Sequence, residues 1–262
     1  MAYTTTRRAT LAALAATPLL PLPLKAQAPF PDRAIRLIVP FAPGGNSDLT
    51  ARACAPAMSA KLGQPVVVEN RAGAGGSVAA QQVARVRPDG YTILLGSNGP
   101  LTINPSVQAN LGYDPLRDFT AIGGLVNFPL LLVAHPSLPV KNVNDFVTLA
   151  KKQPGLISYS SIGSGSAQHM AGEWMRLLTG INIIHVPYKG GAPGMAALLA
   201  GDITMTFDSG LTSIANIQAK KIRPIAVAAQ ARLSELPDVP TFTEAGLANF
   251  HAGSWYGFMA PA

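Results

Sequence analysis

From Ile35 onward the chain alternates short apolar runs with longer Ala-rich stretches. Ile35–Val39, Val66–Glu69 and Thr92–Leu95 are brief β-branched or Leu-rich runs bounded by Pro, Gly or Asn, which predicts buried strands. Ser47–Leu62 and Ser77–Arg85, between them, are long enough and rich enough in alanine for helices. Strand, helix, strand, helix, strand implies right-handed crossovers on a parallel sheet. The rhythm then restarts, with strands expected at Leu130–Ala134, Ile157–Ser160 and Ile183–Pro187 and helices at Asn144–Lys151, Ser166–Thr179 and Pro193–Ala200. Ile203–Phe207, Ile214–Lys220 and Ile225–Ala229 continue the alternation, so a second α/β unit follows the first.

Residues 97–120 join the units. Asn98-Gly99-Pro100, Asn104-Pro105 and Tyr113-Asp114-Pro115 make them turn-rich, and they read as loop and short helix. Gly73–Gly76 has neither the G-x-G-x-x-G spacing nor a following lysine, which argues against a nucleotide loop.

The first 28 residues have a different character. Arg7-Arg8, an apolar run from Ala9 to Leu24 broken by Pro18, Pro21 and Pro23, and Ala26-Gln27-Ala28 follow the order of a secretory signal, with cleavage expected after Ala28. The prolines argue against a membrane anchor. The arginine pair also fits a twin-arginine signal, leaving both export routes open. Removing residues 1–28 takes away Arg7, Arg8 and Lys25 and lowers the formal charge from +7 to +4. The remaining basic residues are scattered, and nucleic acid is not an expected partner. The single cysteine, Cys54, has no intramolecular partner and sits among alanines as a buried, inert thiol would.

Two predicted strand-to-helix junctions could hold a ligand. Pro40–Asp48 brings Gly44 and Gly45 to a helix start where Asn46 or Ser47 can cap, and free N–H groups there suit a carboxylate. Ser160–His169 combines Ser160, Ser161, Ser164 and Ser166 with Gly163 and Gly165 at another helix start. Hydrated or capped turns are the alternative reading of both. Asp208 either meets a ligand amino group or caps the following helix.

Catalytic readings fare worse. Gly163-Ser164-Gly165-Ser166 is not G-x-S-x-G. His135, His169, His185 and His251 lack metal-site spacing, so neither metal nor cofactor is expected. A hydrolase pairing a serine of Ser160–Ser166 with His169 would need an orienting acid that the spacing does not supply.

Taken together, Pro31-Asp32-Arg33, Ile38–Gly45 with Asp48, Leu62–Gly76, Pro88–Thr92, Gly163–His169, His185–Gly191 and Leu236–Thr241 resemble the Bug receptors, extracytoplasmic solute receptors of tripartite tricarboxylate transporters. The resemblance spans nearly all of residues 31–262. It implies a periplasmic, monomeric, non-enzymatic α/β protein of Venus-flytrap fold, with a mainly parallel sheet in each lobe and two crossing hinge strands. Lobe 1 would comprise 29–127 with 253–262, and lobe 2 128–252. Ala42, Gly44, Gly45 and Asp48 would hold one carboxylate of a small ligand with Ser161, Gly163, Ser164 and Ser166. Asn98, Tyr188, Asp208 and Ser209 would shape the far end. Dicarboxylates, amino acids, aromatic acids and amides are the ligand classes implied, and a permease of one large and one small subunit, or a sensing role, the destination. These receptors usually continue past the position of Ala262 to finish lobe 1, so a truncated, nonfunctional receptor is the remaining alternative.

Overall fold

The computed structural model describes residues 29–262, so the expected signal at 1–28 lies outside the described residues. The first unit comprises β1 (Ile35–Val39), α1 (Asn46–Leu62), β2 (Val66–Asn70), α2 (Ser77–Ala84) and β3 (Thr92–Ser97). β1 lies between β2 and β3 and pairs with both in parallel. Leu37, Val39 and Leu95 pack against Ala51 and Ala55 of α1. Ile38 and Leu94, pointing the other way, meet Ala79, Ala80 and Val83 of α2. Burial on both faces is why these strands are continuous apolar runs rather than alternating ones.

After a π-helical turn at Gly99–Ile103 come α3 (Asn104–Val107), β4 (Phe119–Ala134), α4 (Val143–Lys152), β5 (Ser158–Ser161) and α5 (Ala167–Thr179). The chain finishes with β6 (Ile184–Pro187), α6 (Gly191–Ala200), β7 (Met205–Ser209), α7 (Gly210–Gln218), β8 (Arg223–Val227) and β9 (Gly253–Pro261). Local chemistry sets several boundaries. Asn142 Oδ1 accepts the Asp145 N–H at 2.8 Å while the Asp145 carboxylate accepts the Lys141 N–H at 3.0 Å, a reciprocal cap that starts α4. Lys151 and Lys152 lie at the opposite, negative end of its dipole.

The sheet is mixed rather than mainly parallel. Its order is β2-β1-β3-β9-β4-β7-β5-β6, with β8 also on β4. β9 runs antiparallel to β3 and β4, and β4 antiparallel to β7 and β8. Part of this comes from the antiparallel pairing of the expected strand Leu130–Ala134 with β7 and β8, and part from two departures from the sequence pattern. β4 begins at Phe119 inside the expected loop, and residues 253–261 form a strand that the apolar pattern did not flag. Gly123, Gly124 and Pro129 punctuate the first part of β4 like a loop, and register shifts at Ala121/Gly123 and Gly124/Val126 accommodate it.

β4 is shared. Phe119–Pro129 pairs with β9, and Leu130–Ala134 pairs with β7 and β8. Over that second part Leu130 and Leu132 enter one core, with Phe146, Tyr159 and Phe207, while Leu131 and Val133 enter another, with Met195 and Leu198. The chain returns beside β4 through Ala252, whose carbonyl accepts the Leu130 N–H at 2.9 Å. Cys54 is half-buried against the α1 core rather than enclosed. No helix among the described residues is long and apolar enough to cross a membrane.

Leu130 is fully buried where the two parts of the sheet join. Leu130→Ala is expected to cost about 2–5 kcal/mol, read from the urea midpoint with an unchanged slope.

Candidate functional site

The first junction is held from below. Gly44, at φ +79°, donates its N–H to Asp48 Oδ2 at 2.9 Å, and Arg52 Nε reaches the same oxygen at 3.0 Å. Burial works to raise the Asp48 carboxyl, but the Arg52 guanidinium, the Gly44 N–H and the Asn70 side chain outweigh it and hold it below the ordinary carboxylate range. Asp48 thus braces the loop through its carboxylate. Asn70 adds a bond from Nδ2 to Phe41 O at 3.0 Å. The residue capping α1 is Gly45, not Asn46 or Ser47, and no side chain caps its first turn.

The second junction is also self-bonded. Ser161 Oγ lies 2.6 Å from His185 Nε2 and accepts the Gly163 N–H at 3.1 Å. Ser166 Oγ caps α5 by accepting the His169 N–H at 3.3 Å, and Ser160 Oγ donates to Thr206 Oγ1 at 2.8 Å. Ser164 alone of the four is exposed. The hydroxyls that the sequence offered as a free set are therefore largely occupied in fixing the loop.

The sequence did not indicate how closely the loops meet. Ala42 donates its N–H across to Lys189 O at 3.0 Å. A Cβ at Gly190 would come within 2.9 Å of Ala42 N, and one at Gly45 within 3.2 Å of Gly191 N. Likewise a Cβ at Gly163 would sit 2.9 Å from Gly75 N, and one at Gly75 would run into Ser164 O. Glycine is required here because backbone abuts backbone. The start of α6, capped by Gly190 with no side-chain bond, thereby faces the start of α1.

Behind these loops are polar groups whose partners come from other elements. The His169 ring stacks on His185 with centroids 4.1 Å apart, and Tyr159 donates to Glu173 at 3.1 Å beside them. Burial, then the neighbouring His169, push the His185 imidazole down to about 4, with Glu173 acting weakly the other way. Ser97 Oγ and Gln168 Oε1 are buried without a hydrogen-bond partner. Tyr256 of β9 is buried near Asn46 and Ser47; burial and the Asp208 carboxylate push its phenol up. Only spatial neighbours reveal such groups, so no linear motif could have found them.

The far-end residues are dispersed. Asn98 is tied to β9, its Oδ1 accepting from Ser254 Oγ at 2.8 Å and its Nδ2 donating to Gly253 O at 3.2 Å. Tyr188 is half-buried and donates its N–H to Ser161 O at 2.9 Å. Asp208 lies in β7, and its Oδ2 accepts from Thr212 and Ser213 hydroxyls, both at 2.7 Å. Burial raises its carboxyl despite those bonds. Ser209 caps α7 and bonds Thr212 through its own hydroxyl at 2.9 Å.

At the junction of the loops lies a narrow crevice of about 10 Å³, lined by Ser160, Ser161, Gln168, Gly190, Gly191 and Asp208 among others. Ile162 separates it from a smaller one against Phe41, Ser97 and Tyr256. Larger hollows of about 480 and 430 Å³ exist, one along Phe128 and Trp255 and one beside Trp174. Both are open surface grooves, the first touching neither junction and the second only Ala167, whereas the two small cavities are lined by Phe41, Ser160, Ser161, Ile162, Ser166 and Gln168 of the junctions.

A mixed α/β sheet with glycine loops meeting at helix starts defines the periplasmic-binding-protein class. The chain matches the family described as tripartite tricarboxylate transporter family receptor over residues 50–262, and it belongs to that family of periplasmic solute-binding receptors. It is 41% identical over 234 residues to a UPF0065 protein of Bordetella pertussis, covering 88% of this chain and 72% of that one. The structure of periplasmic binding protein BugD is similar, with TM-score 0.85, 39% identity and coverage of 88% and 77%. So is R. palustris Rpa4515 with adipate, with TM-score 0.86, 38% identity and coverage of 88% and 78%.

The depressed His185 has a pH consequence. Below its ordinary value of 6.5 the unfolded chain takes up a proton that the folded chain refuses until about 4. The stability it contributes is whole above 6.5 and is lost as pH falls through that window. His185→Gln should flatten the decline of melting temperature over that range relative to the native chain, by an amount visible in paired thermal melts.

Proposed function

We propose that the protein captures a small carboxylate or a related metabolite between two lobes, 29–127 with 253–262 and 128–252, and releases it without chemical change. The observation that carries this reading is the meeting of α1 and α6 by their starts. Both are capped by glycine and neither receives a side-chain cap. Two positive helix ends held together repel each other, and an anion between them relieves the repulsion while satisfying N–H groups. The adipate bound by the R. palustris relative is an anion of this kind.

On this reading Gly44, Gly45 and the Ala42 backbone line the anion site from lobe 1, and Gly163, Ser164, Ser161 and Ser166 from lobe 2. Asp48 supports the first loop. Asn98, Tyr188, Asp208 and Ser209 bound the remainder. β4 and the return into β9 are the strands about which the lobes close. The Ala42–Lys189 bond and the Gly75–Ser164 contact belong to the closed form, in which both lobes present one continuous surface to a permease of large and small subunits. The Ser161–His185 pair does not favour a hydrolase. Ser161 is 2% exposed, and the Glu173 carboxylate near His185 is engaged by Tyr159 and Arg176.

A thermal-shift screen of residues 29–262 against dicarboxylates, amino acids, aromatic acids and their amides tests the reading. A true ligand at 100 times its Kd stabilises the folded state by about 2.7 kcal/mol. Gly44→Val, which forces a β-branched residue to positive φ at the anion loop, should weaken that ligand's binding by about tenfold or more, and Ser164→Ala by less. Calorimetry giving unchanged affinity in both variants would remove these loops from the site.

A further inference from the structure

An anion site at a helix start has no evident use for an acid, yet Asp48 stands in the first turn of α1, 3% exposed and bonded to the first glycine loop. A carboxylate there occupies the positive end of the helix dipole that an incoming anion would use. One cation balances it. Arg52 is the basic residue paired with Asp48 among the described residues, its Nε lying 3.1 and 3.0 Å from the two carboxylate oxygens. The same guanidinium turns Nη2 to Asn70 Oδ1 at 3.3 Å, at the end of β2. Asn70 holds the Phe41 carbonyl and Asp48 holds the Gly44 N–H, so both ends of the segment Phe41–Gly44 hang from side chains that Arg52 braces. The Arg52 side chain is 53% exposed and lines none of the grooves or crevices described above, which gives it the look of an ordinary surface residue.

We propose that Arg52 is a positioning residue of the anion site: it acts through Asp48 and Asn70 to fix the first loop, and it balances the Asp48 charge so that the start of α1 stays attractive to an anion. The inference rests on the receptor reading and adds to it a residue that lies outside the crevices. Both properties of the guanidinium are used. Its fork reaches a carboxylate and a carboxamide at once, which an ammonium on a flexible stem does not reproduce. Its charge compensates an acid that would otherwise be buried and unpaired, a far costlier state than a broken ion pair between two exposed groups. Without Arg52 the Asp48 carboxylate repels a ligand carboxylate and takes the helix end for itself. With Arg52 in place, Asp48 serves as the hydrogen-bond acceptor that sets Gly44 at positive φ, and the pair carries no net charge.

The test is isothermal calorimetry on residues 29–262 with succinate, adipate and glutamate as probes, together with any acid that the thermal-shift screen returns. For the acid that the native chain binds, Arg52→Met should weaken affinity by about tenfold in low salt. In an Asp48→Asn background, where no buried anion is left to balance, the same substitution should weaken it by only about twofold. Arg52→Lys, which keeps the charge without the fork, should fall between native and Arg52→Met in affinity. Amide exchange at Gly44 in the ligand-free protein should quicken in both variants, because the loop loses its brace. If Arg52→Met does not fold, Arg52→Gln carries the same comparison. If Arg52→Met binds as the native chain does, or loses as much affinity in the Asp48→Asn background as in the native one, the inference is overturned while the receptor reading stands. If the native chain binds none of the probes and the broader screen finds no carboxylate, the receptor reading falls and takes the inference with it.

Discussion

The structure depends on a single strand that belongs to both halves of the sheet at once. Phe119–Pro129 of β4 is hydrogen-bonded to β9, and Leu130–Ala134 lies between β7 and β8. Along its buried second part successive side chains feed opposite cores, so that five residues, Leu130 to Ala134, anchor one half of the protein on both faces. The first part is bulged and largely exposed. Rigid anchorage on one side and a bulged, lightly packed stretch on the other are what the proposed closure of two lobes about β4 would need.

That arrangement brings the glycine loops into register with each other. α1 and α6, whose starts no side chain caps, begin on faces that meet, and their backbones come close where Gly45 and Gly190 have no Cβ, beside the similar contact of Gly75 with Gly163. Most hydroxyls in the second loop hold its shape, and Asp48 does the same for the first. The donors left over are backbone groups at helix ends. On the proposed function an anion is held there through preorganised dipoles rather than a salt bridge, with Ser97 Oγ and Gln168 Oε1 buried behind it without a hydrogen-bond partner.

The apolar pattern was a reliable guide wherever a strand is covered on both faces. β1 and β3 and the helices beside them fall within a residue or two of their expected bounds, because strands buried on both faces must be apolar throughout. It was a poor guide to the first part of β4 and to β9, which are glycine- and proline-bearing and only partly covered. Those two segments make the first half of the sheet mixed, since they pair antiparallel with each other and β9 with β3, and such hydrogen bonds are indifferent to side-chain polarity. In the site, Gly44, Gly45, Gly163 and Ser164 were legible as glycine- and serine-rich helix starts. Gly75, Gln168, His185 and Tyr256 were not, because each takes its meaning from a partner on another element.

By itself the sequence determined the alternation of strands and helices, the positions of the helix starts, and, through motifs spread from Pro31 to Thr241, the receptor family. Each is a property of local spacing and composition, which the chain carries whatever its fold. Only the tertiary structure decided that β4 joins both halves, that Asp48 faces its own loop, that α6 meets α1, and that Gln168 and Asp208 share one cavity. These are contacts between residues that are mostly tens to hundreds of positions apart, and they exist only once backbone pairing and core packing have brought the segments together.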